Sequence, residues 1–215
     1  IVKKMIEDKM SHLSIDVFIY EPNSQIKEKL KEERVQLTDA RAMLLFMLYK
    51  LVANGEFVSE FSSEKICYFL QRFGAKEHFK LDYKPNFYGP YSGKVKYVIN
   101  YLNGSYIMGY SSMDKKPFET LDLVSDGFEK VEGYILSKPE LVEIVNRTEL
   151  FLDGFYSEFA LELLSTVDYI SLNKDTFDLE IIKSELEGWS ERKRTLFSND
   201  RFLNISINHL KEHFG

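Results

Sequence analysis

The run from Ala42 to Val52, Ala-Met-Leu-Leu-Phe-Met-Leu-Tyr-Lys-Leu-Val, constrains this chain more than any other segment. Wound as a helix it is apolar nearly all round. A helix without a polar face has to be central, with other elements covering it on several sides. Thr38 is placed to cap its start, and Asp39 suits the positive end of its dipole. Asn54-Gly55 stops it. The run is much shorter than a membrane span, so no membrane partner is expected.

The segments around it are the kind that can supply that cover. A second helix is expected after Ser62 and up to Gly74, with Ile66, Phe69, Leu70 and Phe73 at i, i+3, i+4 and i+7. Alternation over Phe79 to Tyr83 predicts a short strand, followed by a turn-rich aromatic loop from Lys84 to Tyr91. Ser92 can cap a helix carrying Val95, Val98, Ile99 and Leu102. Two strands, Ser105 to Tyr110 and Glu119 to Val124, flank a polar loop. Further helices are expected with Phe128, Val131 and Ile135, then with Leu141, Ile144, Val145 and Thr148, then with Phe155, Phe159, Leu163 and Val167 turned inward. Asp175 or Thr176 opens another through Leu186, Trp189-Ser190 punctuates, and a last helix carries Phe202, Ile205 and His209 on one side. The fold class is therefore α+β and mainly α-helical, with a small antiparallel β-hairpin and winged-helix-like elements. Residues 1–22 read as a helix (Val2 to Leu13) and a strand (Ile15 to Tyr20), 23–36 as a charged linker, and 37–215 as the helical domain. The start at Ile1 gives the expectation of a piece of a longer protein.

Charge and residue chemistry narrow the function. The chain has 28 basic and 34 acidic residues, a net charge of −6. An acidic chain is a poor general ligand for phosphate backbones, so direct nucleic-acid binding is not expected. A single cysteine, Cys67, excludes an internal disulfide framework and suits a reducing, cytoplasmic setting. Cys67 reads as a buried, inert thiol. Of the four histidines, His209 and His213 share a helix face, but no third ligand stands at a diagnostic spacing, and no metal is expected. There is no P-loop, no Gly-x-Gly-x-x-Gly and no carboxylate pair with acid–base spacing. No cofactor, no catalytic residue and no small-molecule substrate are expected.

Two binding surfaces remain open. The helix after Ser92 and the following hairpin stand in winged helix-turn-helix order, which would place Lys94 and Lys96 against phosphates and Lys115 and Lys116 on the wing. Compact packing of the same elements explains that order equally, and the negative charge favours it. The basic cluster Arg192-Lys193-Arg194 reads as a solvated helix start or as a partner of nearby carboxylates. The segment Phe87-Tyr88-Gly89-Pro90-Tyr91-Ser92 is the more unusual candidate. Its Gly-Pro turn is stiff, and tyrosines on a stiff turn make interface anchors at low entropic cost. The same rings could instead fill the core beneath the turn.

Several pieces, in order, resemble one family. They are Lys65-Ile66-Cys67-Tyr68-Phe69-Leu70-Gln71, Leu81-Asp82-Tyr83, Tyr88-Gly89-Pro90-Tyr91-Ser92, Tyr106-Ile107-Met108-Gly109-Tyr110, Phe159 to Val167, and Trp189-Ser190 with Arg192-Lys193. Together they resemble the C-terminal domain of DarG antitoxins. Ile15 to Pro22 is similar to the closing strand of the macrodomain that precedes that domain in the family. The resemblance implies a toxin–antitoxin system. Its toxin, DarT, transfers ADP-ribose from NAD to thymine in single-stranded DNA. The DarG macrodomain removes the ADP-ribose, and the C-terminal domain binds the toxin and occupies its DNA cleft. The macrodomain's nucleotide-binding loops are expected upstream of Ile1. The resemblance therefore implies a non-enzymatic inhibitor whose partner is a DarT-type toxin, with a winged-helix autorepressor of transcription as the alternative.

Overall fold

The computed structural model describes residues 34–110 and 117–215. The chain divides into two units, Ile1–Arg34 and Val35–Gly215, and all the described residues but Arg34 belong to the second. The expected helix and strand of residues 1–22, most of the linker 23–36, and the wing residues Lys115 and Lys116 lie outside the described residues.

The apolar run forms helix α1, Asp39–Ala53, and it is central as expected. Thr38 is extended and its hydroxyl accepts from the Arg41 N–H at 3.5 Å, and eight residues of α1 are buried. Helix α2, Glu60–Leu70, packs on α1 and starts earlier than its apolar periodicity suggests. Ser59 and Ser62 form a reciprocal capping box, each side chain accepting from the other's backbone N–H. All eleven residues of α2 are buried, including Glu60, Glu64 and Lys65. The chain does not stop at Gly74. It widens into a π turn, Gln71–Ala75, where Gly74 takes φ +118, and runs on into the one-turn helix α3, Lys76–Phe79.

The strand expected over 79–83 is not formed. The pairing lies in the following segment, where β1, Lys84–Asn86, and β2, Gly89–Tyr91, make an antiparallel hairpin with Phe87-Tyr88 at its tip. Each strand contains a proline, which removes a ladder donor and is tolerated only on an edge. Helix α4, Val95–Leu102, buries Val95, Ile99 and Leu102, and Lys94 stands at its N-cap without a side-chain cap bond, so Ser92 does not cap it as expected. Strands β3, Ile107–Met108, and β4, Asp122–Leu123, pair antiparallel but are shorter than expected, and Val58 bridges to Leu121 on the other side. The order is helix, bridging residue, helix, π turn, one-turn helix, hairpin, helix and strand pair, a mainly helical α+β arrangement with two small antiparallel strand pairs. No helix among the described residues is long and apolar enough to cross a membrane.

A second set of helices completes the cover. Helix α5, Phe128–Leu136, packs on α1, and α6, Pro139–Leu152, packs on both. Helix α7, Glu158–Lys174, capped by Ser157, lies along α2. Phe155 falls before it rather than within it. Asp175, expected to open the next helix, instead ends α7 in a left-handed conformation (φ 50). Helix α8, Leu179–Trp189, is capped by Asp178, whose carboxylate accepts from Glu180 and Ile181 N–H. Trp189-Ser190 does not end the helical stretch, because Ser190 caps a further short helix, α9, Glu191–Leu196. In the last helix, α10, Asp200–Phe214, the buried face carries Leu203, Ser206, Ile207 and Leu210. The expected stripe is one step out of register with this face, and Phe202 and Ile205 are exposed.

Aromatic rings join these layers. Phe151 is fully buried, with its ring centroid 5.0 Å from Phe69, 5.1 Å from Phe73 and 5.5 Å from Phe214. His209 stacks between Phe151 and Phe155 at 4.6 and 4.4 Å, and its Nε2 lies 2.7 Å from the Phe151 carbonyl oxygen. Replacing Phe151 with Ala is expected to cost about 3–5 kcal/mol in urea unfolding, whereas Leu150→Ala should cost no more than about 0.5 kcal/mol. The neighbouring Leu150 is 70% exposed.

Candidate functional site

The hairpin rests on a buried layer of charged side chains that neighbouring sequence positions do not announce. Helix α2 supplies Glu60, Glu64 and Lys65. Helix α7 supplies Glu162 and Thr166, and α9 supplies Arg192 and Lys193. The Lys65 ammonium donates to the Pro90 carbonyl at 2.7 Å. The Glu64 carboxylate accepts from the Ser92 N–H at 3.3 Å and the Gly93 N–H at 3.2 Å. Glu60 accepts from Tyr91 Oη at 3.3 Å and from Tyr110 Oη at 2.8 Å. Glu162 is gripped by both guanidinium nitrogens of Arg192 and by Lys193 Nζ at 2.6 Å. Lys193 Nζ also donates to Thr166 Oγ1 at 3.1 Å, and that hydroxyl donates to the Glu162 carbonyl at 2.6 Å. Lys193 is fully buried, so the solvated reading of the basic cluster fails there and the carboxylate-partner reading holds. Glu162 is ion-paired with Arg192 and Lys193, whereas Glu60, Glu64 and Lys65 are held by hydrogen bonds to neutral groups; removing either kind of partner strands the other.

Gly89 is fixed by this layer. Its φ is +93, and a Cβ there would stand 2.6 Å from Thr166 Oγ1 and 3.2 Å from Lys65 Nζ. Backbone handedness and space therefore both require glycine.

The remaining candidate residues are distributed as follows. Phe87 is largely exposed at the tip, Gly89 and Pro90 are buried, and Tyr88, Tyr91 and Ser92 are half-buried. Tyr88 meets Phe118 and Phe87 edge-on, both at 4.8 Å, and Phe61 at 6.3 Å. The Arg192 guanidinium stands 4.9 Å from the Tyr88 ring centroid. Trp189 donates from Nε1 to the Asn86 carbonyl at 2.9 Å, tying α8 to the hairpin. Between them opens a cleft of about 620 Å³ lined by Pro85, Asn86, Phe87, Ser184, Glu185 and Trp189, among others. At the N-cap of α4, Lys94 lies 3.8 Å from Asp82 in an exposed pair, and on the helix Lys96 sits over the Tyr97 ring. Among the described residues no group of three or more His, Cys, Asp or Glu could hold a metal. Cys67 is fully buried, which pushes its thiol well above the usual range.

A second buried cluster lies further along α2 and α7. Asp168 accepts from Tyr68 Oη at 2.6 Å and from Arg72 Nε and Nη2 at 2.8 and 3.1 Å. Arg72 in turn lies 4.1 Å from the Phe214 ring centroid. The sequence reading missed both clusters. The available signal was a charged residue inside an otherwise apolar helix, such as Lys65 before Ile66, or Glu162 and Asp168 within α7.

Burial shifts the proton affinity of the layer. It raises Glu64 to about 7 and lowers Lys65 to about 7 and Lys193 to about 8. Glu64 binds its proton more tightly when folded, so its contribution is full below pH 4.5 and is lost as pH rises through 7. Lys65 binds its proton less tightly when folded, so its contribution is full above pH 10.5 and is lost as pH falls through 7. Urea melts across pH should therefore show a fall in stability between 4.5 and 7 that Glu64→Gln flattens. They should also show a rise above 7 that Lys65→Met reduces. Independently, Gly89→Ala is expected to destabilise by about 2–4 kcal/mol at pH 7, read from the same melts.

No protein-family model matches the chain. Its curated relatives include a DNA ADP-ribosyl glycohydrolase of Thermus aquaticus, 28% identical over 198 residues, covering 90% of this chain and 54% of that protein. Proteins of the same name from Mycobacterium bovis and Mycobacterium tuberculosis are each 20% identical over 201 residues, covering 87% of this chain and 56% of theirs. The chain thus spans about half the length of the curated relatives it matches. These names overturn the expectation of a non-enzyme, because relatives matching about nine-tenths of the chain are named as hydrolases. A search for local catalytic motifs does not detect such a relationship, since it reads only spacing along the chain.

Proposed function

We propose that the chain acts in the ADP-ribose chemistry of DNA that its relatives' name describes, and that the unit Val35–Gly215 binds a DarT-type toxin. In this reading the unit occupies the toxin's single-stranded-DNA cleft. The observation that carries the proposal is the braced aromatic tip. Phe87 is 53% exposed and Phe118 is 36% exposed, and Tyr88 packs against both. Lys65 and Glu64 hold the hairpin from below. Rings held this way lose little entropy on binding and present stacking faces where bases would lie. The net charge of −6 complements a partner that must itself attract DNA.

Calorimetric titration against the cognate toxin, with single-stranded DNA as competitor, tests this reading. Tight binding that DNA weakens is expected. The double variant Phe87→Ala/Phe118→Ala should weaken binding by about 2 kcal/mol or more, with little change in thermal midpoint. Binding indifferent to DNA would remove the cleft-blocking mechanism. Release of ADP-ribose from modified single-stranded DNA, assayed in parallel, tests the hydrolase chemistry.

A second reading, a winged-helix binder of operator DNA, is favoured by the Val58–Leu121 bridge beside the β3–β4 pair. On α4 and its N-cap the groove-facing candidates would be Lys94 and Lys96, next to exposed Tyr97 and Tyr101. It requires salt-sensitive affinity for duplex that falls when both lysines are neutralised.

A further inference from the structure

We propose that the cleft beside the hairpin tip is a receptor for one arginine side chain of the protein partner. The partner's identity rests on the toxin-binding reading above, but the chemistry of the cleft does not.

Electrostatics is the first reason. The cleft opens at the C-terminal end of α8, the negative end of its dipole. That last turn carries no basic residue, while Glu185 lines the cleft and Glu187 lies within the turn. Ser190, at the C-cap, is extended (φ −168, ψ 157). Among the described residues no backbone N–H beyond Trp189 bonds back to the final carbonyls of α8. Glu187 and the following exposed Glu191 form no ion pair among the described residues. Glu185 meets only Lys174, at 2.8 Å, in a half-exposed pair of little strength. The end of α8 thus carries carboxylates that exposed lysines offset only in part, Lys174 at Glu185 and Lys183 near Glu187.

The second reason is shape. Phe87 and Trp189 supply rings to the cleft, and Trp189 is held by its bond to Asn86. A planar guanidinium can stack on such a ring while donating in its own plane to a carboxylate. The protein already uses this pairing twice. Arg192 joins Glu162 and lies over Tyr88, and Arg72 joins Asp168 and lies over Phe214. The cleft offers the same elements, the Glu185 carboxylate with the Phe87 and Trp189 rings, and Arg192, which stands 5.6 Å from the Phe87 ring centroid, is committed to Glu162 rather than to Glu185. Its volume of about 620 Å³ admits a guanidinium with part of its stem and backbone.

Trp189 is the single tryptophan of the chain, so its fluorescence reports the cleft directly. The full chain is titrated with acetyl-Gly-Arg-Gly-amide and with the same peptide carrying citrulline, which keeps the shape and removes the charge. The arginine peptide should change Trp189 emission saturably. The citrulline peptide, and the variant E185Q/E187Q with the arginine peptide, should bind about tenfold more weakly. An unchanged thermal midpoint for the variant shows that it is folded. Equal responses to the two peptides, or no response to either, overturn the proposal. The variant is also titrated against the toxin. If the toxin binds the native chain and the variant equally, the cleft proposal falls and the toxin reading stands. If the arginine peptide binds and the toxin does not, the cleft stands and the toxin reading falls.

Discussion

The Glu162 carboxylate is the point on which the packing of three elements depends. It lies inside α7, is 2% exposed, and is gripped by Arg192 and Lys193 of α9. Without those two cations it would be a desolvated charge, and without it the fully buried Lys193 would be one. The same Lys193 bonds Thr166, and Thr166 stands against Gly89 of the hairpin. One buried ion cluster therefore fixes α9 on α7 and also sets the floor beneath the hairpin. Lys65 and Glu64 on α2 complete that floor by holding Pro90, Ser92 and Gly93. Such a layer fails as a unit, because each member is the solvent substitute of another.

Rigidity below creates the binding chemistry above. A two-residue tip with no side-chain anchor would be free to sample many conformations and would lose that freedom on binding. Here Arg192 uses its two sides differently, its nitrogens on Glu162 and its plane near Tyr88. The ring of Tyr88 then supports Phe87 and Phe118, which remain accessible. The Asn86 carbonyl, bonded by Trp189, carries the same fixation to the end of α8. Aromatic surface and partly screened carboxylates thus occur side by side, which suits a partner with a basic surface.

The sequence made some of this legible. Thr38 and the run after it predict α1 correctly, because a helix with no polar face has only one physical solution. The faces of α4, α5 and α6 follow for the related reason that their apolar residues recur at helical spacing. The start of α2 was misplaced because its first turn is Glu60, Phe61, Ser62 and Ser63, whose polar residues periodicity reads as solvent-facing. The face of α10 was misjudged because Phe202 and Ile205 look like core residues by type. In the folded chain Leu203, Ile207 and Leu210 are the buried ones on this helix, which packs on α7. The hairpin was read as a loop because Pro85, Asn86, Gly89 and Pro90 suppress the strand signal.

What the sequence determined by itself was local: which segments are helical and that Thr38 caps α1; the turn it placed at Gly89-Pro90 lies at Phe87-Tyr88, and Gly89 and Pro90 belong to β2. What only the tertiary structure decided was which charges are buried and with whom. Glu162 and Lys193 lie 31 positions apart, and Lys65 and Pro90 lie 25 apart. A buried charge is stable only when a partner from another element replaces its water. Spacing along one helix carries no record of that partner, so the layer under the hairpin exists only once α2, α7 and α9 have been brought together.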